Sequence, residues 1–224
     1  MTEQKIKITK DGPYLVTGNV PLSEKIITEK NGKYILADGR ILQEKASYAL
    51  CRCGHTKTPP FCDGSHIKEH FDGQETCSRQ TYAQRAECEV KGPALDLYDD
   101  GRCAYARFCH RNRRTAWSLT ERSDDPKLKN EAVIAACECP SGRLVAVDKD
   151  GHIFENKYAP SIEILQDPMN STAGPISVKG GIPIVSADGQ IYEIRNRVTL
   201  CRCGRSKNKP FCDAQHILSD KDEK

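Results

Sequence analysis

The chain has 224 residues, of which 38% are hydrophobic and 6% aromatic, so we expect a thin apolar core and part of the stability to come from bound metal. Its 34 basic and 31 acidic side chains leave a net charge of +3, which is too weak for a nucleic-acid-binding face. The 12 cysteines are the unusual component, and they offer ligands for metal.

The cysteines are expected to be reduced. The first residues, MTEQKIKITKDGPYLVTG, contain no apolar stretch of signal-peptide length, and no later window approaches the roughly 18–20 apolar residues of a membrane span. We therefore expect a cytoplasmic protein that does not enter a membrane. In a reducing compartment, closely spaced cysteines usually serve metal or redox chemistry rather than disulfides.

Two stretches of the chain repeat one β-rich pattern. GPYLVTGNVPL (residues 12–22) aligns with GPISVKGGIPI (residues 174–184), and each is followed by an Asp-Gly turn, an alternating run and a cysteine motif. Runs of alternating apolar and polar residues, separated by Gly, Pro and Asn, predict six strands in these two repeats. They lie near Tyr14–Val16, Tyr34–Leu36, Ser47–Leu50, Ile176–Val178, Ile191–Ile194 and Arg197–Leu200.

Each repeat ends in a short predicted helix, for which Asp63 and Asp213 are the predicted N-caps. The polar linker that follows the first repeat, residues 71–93, contains Cys77 and Cys88. Neither has a partner at ligand spacing, so we expect both to be inert or surface thiols.

The segment between the repeats, about residues 93–168, differs from them in composition and cysteine spacing. It contains a helical pattern at Lys127–Ala136 and a hairpin-like stretch, RLVAVDKDGHIFEN. It also contains a basic cluster, for which a solvated loop is the expected role and docking of an acidic redox partner the alternative. The cluster comprises Arg107, Arg111, Arg113 and Arg114. The chain is thus expected to divide into residues 1–92, 93–168 and 169–224.

The strongest signal is the spacing C-x-C-x8-C-x3-H, which occurs in both repeats. Three cysteines and a histidine are a common zinc set, but zinc fingers mostly use C-x2–4-C pairs. C-x-C instead places two sulfurs close together on a short strand, and two sulfurs on one iron with a Cys/His pair on another would suit a [2Fe–2S] cluster. Spacing alone therefore favours iron–sulfur and leaves structural zinc open.

The first motif, CRCGHTKTPPFCDGSH (residues 51–66), and the second motif, CRCGRSKNKPFCDAQH (residues 201–216), resemble the CDGSH iron–sulfur family, also called NEET. The resemblance implies one [2Fe–2S] cluster in each motif, held by three cysteines and one histidine. The ligands it implies are Cys51, Cys53, Cys62 and His66 in the first motif and Cys201, Cys203, Cys212 and His216 in the second.

The second motif departs from the family pattern at Ala214 and Gln215, where the first motif has Gly64 and Ser65. No ligand is lost. The backbone and the hydrogen bonds near His216 are expected to differ, so the two clusters could differ in potential or lability.

The central segment resembles the monocluster ferredoxins in its spacing Cys103-x5-Cys109, followed after a long gap by Cys139-Pro. This resemblance implies a cubane-type cluster. Ala106 stands where a four-iron ferredoxin has its middle ligand, which favours a [3Fe–4S] cluster on three thiolates. Cys137 could supply a fourth thiolate for [4Fe–4S], and a zinc knot or free thiols remain the alternative.

The fold class expected is α+β and β-rich. Single-motif CDGSH proteins form homodimers, so the two halves of this chain are expected to pair with each other as an intrachain pseudo-dimer within a monomer, with a small ferredoxin-like domain inserted between them.

One-electron transfer to a protein redox partner is the expected function, with delivery of a [2Fe–2S] cluster to an apo-acceptor, or redox or pH sensing, as the alternative. A zinc-bound interaction module is a weaker alternative. A stand-alone enzyme is disfavoured because no nucleotide loop, nucleophile–base pair or carboxylate dyad is recognisable.

The imidazole ligand generates a prediction, because a proton competes with metal for histidine near physiological pH. Cluster absorbance should decay faster as the pH falls from about 7 to 5.5, and His66→Cys should remove much of this acceleration. Absorbance decay of the two proteins, followed side by side, checks the assignment, and equal decay would refute it.

Overall fold

The computed structural model describes residues 3–43 and 45–218 and is an α+β structure rich in strands, as expected. The first repeat contributes β1 (Lys5–Ile8), β2 (Tyr14–Thr17), β3 (Leu22–Lys30), β4 (Lys33–Gln43), β5 (Ser47–Leu50) and α1 (Ser65–Lys68). The linker and central segment contribute α2 (Tyr82–Arg85), β6 (Glu87–Lys91), β7 (Leu95–Asp99), β8 (His110–Arg111), β9 (Arg114–Thr115), α3 (Ala116–Thr120), α4 (Pro126–Cys137) and β10 (Leu144–Asp148). The second repeat contributes β11 (Ser161–Asp167), β12 (Thr172–Lys179), β13 (Ile184–Val185), β14 (Arg197–Leu200) and α5 (Gln215–Leu218).

The two repeats exchange a strand. One sheet has the order β13-β1-β2-β5, and the other has the order β14-β12-β11-β3-β4-β8-β9. β1 pairs in parallel with β13 of the second repeat, and β11 pairs in parallel with β3 of the first. Each repeat therefore completes the sheet of the other, which confirms the intrachain pseudo-dimer.

Both repeats share an apolar core, because inward-facing residues of the two sheets pack together. Ile6 and Tyr14 of the first repeat and Ile162 and Ile176 of the second are fully buried in it. Each such isoleucine contributes about 2 kcal/mol by leaving water. Neither repeat keeps this core without the other.

Two sequence predictions about the repeats were wrong. Ile191–Ile194 forms no strand and contributes one isolated bridge, between Ile191 and Val185, because the second repeat has a tight turn where the first has the long β3–β4 hairpin. Asp63 is not the N-cap of α1, since Gly64 holds that position, and α5 likewise begins one residue later than a cap at Asp213 requires.

The central segment has a small core of its own. Its antiparallel sheet has the order β10-β7-β6, and α3 and α4 pack on this sheet through Leu97, Ala116 and Ala135. Asp125 caps α4, accepting from the backbone N–H of Lys127 at 2.8 Å. Within residues 3–43 and 45–218, no helix is long and apolar enough to cross a membrane.

Two arginines of the basic cluster form ion pairs that hold the central segment in place. Arg107 forms a bidentate pair with the buried Asp167 on β11, and the buried Arg111 pairs within the segment, with Glu131 of α4 and with Glu138, which follows α4. A solvated loop was therefore the wrong role for these two residues.

Strand pairing also bears on the domain limits. β11 lies between β12 and β3 in the larger sheet, although the division predicted from sequence left it in the segment 93–168. The limits themselves stay a prediction, and we would now end the central segment before Ser161.

The C-x-C-G loops of the two repeats meet closely at Gly54 and Gly204. A Cβ on Gly54 would lie 2.6 Å from the carbonyl oxygen of Cys203, and a Cβ on Gly204 would lie 2.3 Å from that of Cys53. Both glycines also have positive φ, +86° and +77°. The glycine after each C-x-C pair is thus required twice, by conformation and by contact.

Gly54→Ala should weaken the pairing of the repeats, and Gly189→Ala is its control. Gly189 has a φ of +91°, but a Cβ added there would have no atom within 4 Å, so it carries the conformational cost alone, about 1–2 kcal/mol. Gly54→Ala should cost about 1–3 kcal/mol more through overpacking. Thermal unfolding of the metal-loaded variants measures the difference, and equal destabilisation would contradict the contact.

Candidate iron–sulfur sites

A short return of the chain assembles each motif. Leu50, at the end of β5, bridges to Phe61, and the backbone N–H of Cys62 donates to the carbonyl of Ala49 at 3.0 Å. Cys62 is thereby brought back beside Cys51. The second motif repeats this arrangement, with a bridge from Leu200 to Phe211 and a bond from Cys212 to Thr199.

The four predicted ligands of each motif lie in two pairs. The sulfurs of Cys51 and Cys53 are 3.6 Å apart, and Cys62 Sγ lies 3.5 Å from His66 Nδ1. The second motif gives 3.6 Å for both pairs, Cys201 with Cys203 and Cys212 with His216. Two thiolates bound tetrahedrally at about 2.3 Å lie about 3.8 Å apart, so each pair suits one metal atom. The donors therefore fit a cluster with two irons.

An arginine lies within each C-x-C pair and positions it, a role that no sequence pattern predicted; Arg52 is buried and Arg202 is partly buried. Arg52 donates to the carbonyls of Gly12 at 2.8 Å, Gly73 at 2.9 Å and Thr9 at 3.0 Å. Arg202 likewise donates to Gly174 and to Leu165 at 2.9 Å. Recurrence of Cys-Arg-Cys in both motifs was the signal available.

Asp63 and Asp213 shape the loop that carries the third cysteine. The carboxylate of Asp63 accepts from the backbone N–H of Lys57 at 2.8 Å and of Ser65 at 3.0 Å, which lowers its pKa. Asp213 makes the equivalent bond to Lys207 at 2.7 Å. Gly64 has a φ of +86°, and Ala214 accepts the same left-handed region at +67° despite its side chain. The departure from the family pattern thus leaves the loop path intact.

The two motifs differ in exposure. Cys62 and His66 are half-buried, whereas Cys212 and His216 keep only 3% and 5% of their surface. Burial, with help from the charge of Arg202, lowers the pKa of His216 to about 4, so its imidazole stays neutral and able to bind metal. Burial also raises the pKa of Cys212 to about 12.

The sulfurs of Cys201 and Cys203 share a hydrogen bond, so the two thiols differ in acidity. This contact lowers the pKa of Cys203 and raises that of Cys201. The first repeat reaches this motif directly, because the buried Tyr14 hydroxyl donates to the carbonyl of Cys201 at 2.7 Å.

The central segment brings three of its four candidate thiols together. Cys103, Cys109 and Cys139, called the central site below, line one small cavity with Ala106 and Arg143. Burial, followed by the charges of Cys139 and Cys103, raises the pKa of Cys109 to about 12. Metal that binds here must displace protons, which couples its affinity to pH.

Positive charge is supplied to the central site by Arg143. The buried Asp99 holds this guanidinium through Nε at 2.6 Å, and the charge of Arg143 lowers the pKa of Cys109 against the larger effect of burial. Ser141 adds a hydroxyl 3.3 Å from Cys139 Sγ. A cluster with three thiolates is negative, so these groups favour it.

Cys137 has different neighbours. Burial raises its pKa to about 11, and the charges that act on it are those of Arg197, Glu155 and Glu138. It is buried at the end of α4, outside the lining of the central cavity. The role of Cys137 as a fourth ligand stays a prediction. Cys77 and Cys88, expected to be inert, are half-buried.

Comparison with known families agrees with these sites. Residues 11–67 and 173–217 match the family described as iron-binding zinc finger CDGSH type, and residues 90–149 match the family described as divergent 4Fe-4S mono-cluster. No curated protein and no solved structure matches the chain significantly.

The chain is thus an iron–sulfur protein. It carries two regions of the CDGSH family, and these flank a divergent 4Fe–4S mono-cluster domain.

Cysteine replacement separates the candidate ligands of the central site. Cys139→Ser should abolish metal binding at the central site, whereas Cys137→Ser should leave it intact, because Cys137 lies outside the lining of the cavity. Iron and acid-labile sulfide per chain, with paramagnetic resonance of the central signal, measure both variants. Loss of the centre in Cys137→Ser would make Cys137 a ligand and favour four irons.

Proposed function

We propose that the chain is a one-electron carrier with two [2Fe–2S] clusters, one in each motif, and one [3Fe–4S] cluster at the central site. The observation that carries this proposal is the arrangement of each motif as two donor pairs, with sulfurs 3.6 Å apart in each C-x-C pair. Clusters of these kinds accept and release one electron at a time when bound.

The residues around the sites favour small structural change on reduction. Arg52 and Arg202 hold the C-x-C loops through several carbonyls, and Arg143 is held by Asp99 beside the central thiols. Fixed positive charge stabilises an added electron without rearrangement. A neutral imidazole in place of a fourth thiolate raises the reduction potential, as it does in Rieske centres.

Three irons at the central site are proposed because three thiols line its cavity. The description of the matching family names four irons, and a fourth thiolate would have to come from Cys137. Partner proteins are proposed to be one-electron donors or acceptors, and the chain is proposed to act as a monomer in the cytoplasm without an enzymatic step of its own.

Cluster delivery to an apo-acceptor, or sensing through cluster loss, is the second candidate. The half-buried Cys62 and His66 favour it, since a ligand pair that contacts solvent can exchange with an incoming thiol. The buried Cys212 and His216 do not share this property.

Reversibility distinguishes the candidates. Protein purified without oxygen should contain iron and acid-labile sulfide, and should pass through repeated cycles of reduction and oxidation with its absorbance recovered. A carrier retains its iron when mixed with apo-ferredoxin, whereas a donor transfers a [2Fe–2S] cluster. Stoichiometric zinc without sulfide would end both proposals.

A further inference from the structure

The second motif touches the central site through residues adjacent to ligands on both sides. The guanidinium of Arg102, which precedes Cys103, lies over the ring of Phe211 at 4.2 Å, and Phe211 precedes Cys212. One stacked pair therefore joins a ligand of the central site to a ligand of the second motif.

A second connection runs through β14. Arg197, its first residue, is buried and donates to the carbonyl of Cys139 at 2.6 Å and of Ala136 at 3.0 Å. A Cβ on Gly142 would lie 2.4 Å from the carbonyl oxygen of Arg197, so the loop after Cys139 rests directly on this strand. β14 then leads into Cys201.

A small cavity lies at the junction of the two sites. It is lined by Arg102, Ser141, Gly142 and Cys212, among others, and has a volume of about 10 Å³. Charges held close together at a partly buried junction act on each other more strongly than they would through bulk water.

Among the described residues, neither of these two connections links the first motif to the central segment. It meets the second motif through the Gly54 and Gly204 loops, and its Cys62/His66 end contacts solvent. The three sites thus lie in the order central, second, first.

We propose that the second motif is an internal relay, which exchanges an electron with the central site across the contact between Arg102 and Phe211, while the first motif exchanges electrons with partners. This rests on the proposed function. In each step one electron leaves one site and arrives at the next, with no bond formed or broken, and the external reductant is a one-electron donor protein. Arg102 is a positioning residue, whose charge also favours reduction of the second site.

The test uses the full metal-loaded chain in a His66→Cys background. In this background the second site alone carries an imidazole ligand, so nitrogen hyperfine coupling in paramagnetic resonance identifies its signal. Chemical titration then gives the potential of each site separately. A photochemical one-electron reductant provides the kinetics of redistribution between the sites.

Two substitutions should shift the second-site potential in opposite directions. Arg102→Gln removes a positive charge and should lower it, whereas Cys139→Ser removes the negative central centre and should raise it. Neither should move the first-site potential. Arg102→Lys should leave the potential of the second site unchanged, because lysine keeps the positive charge.

Kinetics test the contact itself. Phe211→Leu should cause loss of the fast redistribution phase between the central and second sites. The matched control is Phe61→Leu, the same change at the duplicate position, which should leave that phase unchanged.

Equal shifts at the first and second sites, or no shift at the second, would overturn the relay while reversible cycling upheld the carrier function. An unchanged fast phase in Phe211→Leu would overturn the pathway through Phe211. Protein that contains clusters but cannot be cycled would overturn the carrier function, and the relay with it.

Discussion

The contact of one C-x-C-G loop with the other is the constraint on which the arrangement depends. Cys53–Gly54 and Cys203–Gly204 meet backbone to backbone, at a distance that leaves no room for a methyl group on either glycine. The exchanged strands and the shared core bring the loops to this position, and Arg52 and Arg202 keep them there. Each of the two CDGSH motifs is therefore built on a frame that both repeats supply.

Duplication has produced two motifs with the same donors and different surroundings. The spacing of ligands, the Asp loop and the bridge to the phenylalanine recur in both, so the two motifs share their local chemistry. Solvent reaches the Cys62/His66 pair, while the central segment covers the Cys212 end of the second motif. A site that must exchange with other proteins and a site that must communicate inside the chain make these opposite demands on exposure.

Much of the secondary structure and the ligand motifs could be predicted, because they depend on local sequence patterns. Alternation and turn residues predicted β2, β5 and β14 to within a residue, and the helical pattern at Lys127–Ala136 predicted α4 to within a residue at each end. Strand exchange could not be read from residues, because parallel pairing of β1 with β13 joins segments far apart in sequence. The roles of Arg107, Arg111 and Arg52 could not be predicted either. A charged side chain requires a partner when it is buried, and its burial is decided by the tertiary structure.

The exchange of strands has a consequence for synthesis on the ribosome. β1 lacks its parallel neighbour until residues 184–185 have emerged, and Gly54 lacks its facing loop until residues 203–204 follow. The first repeat consequently waits, with an open sheet edge and three free thiols, while the rest of the chain is translated. The candidate ligands of that repeat therefore lack part of their enclosing frame until the polypeptide is complete, and a truncated product would present cysteines that the finished molecule encloses.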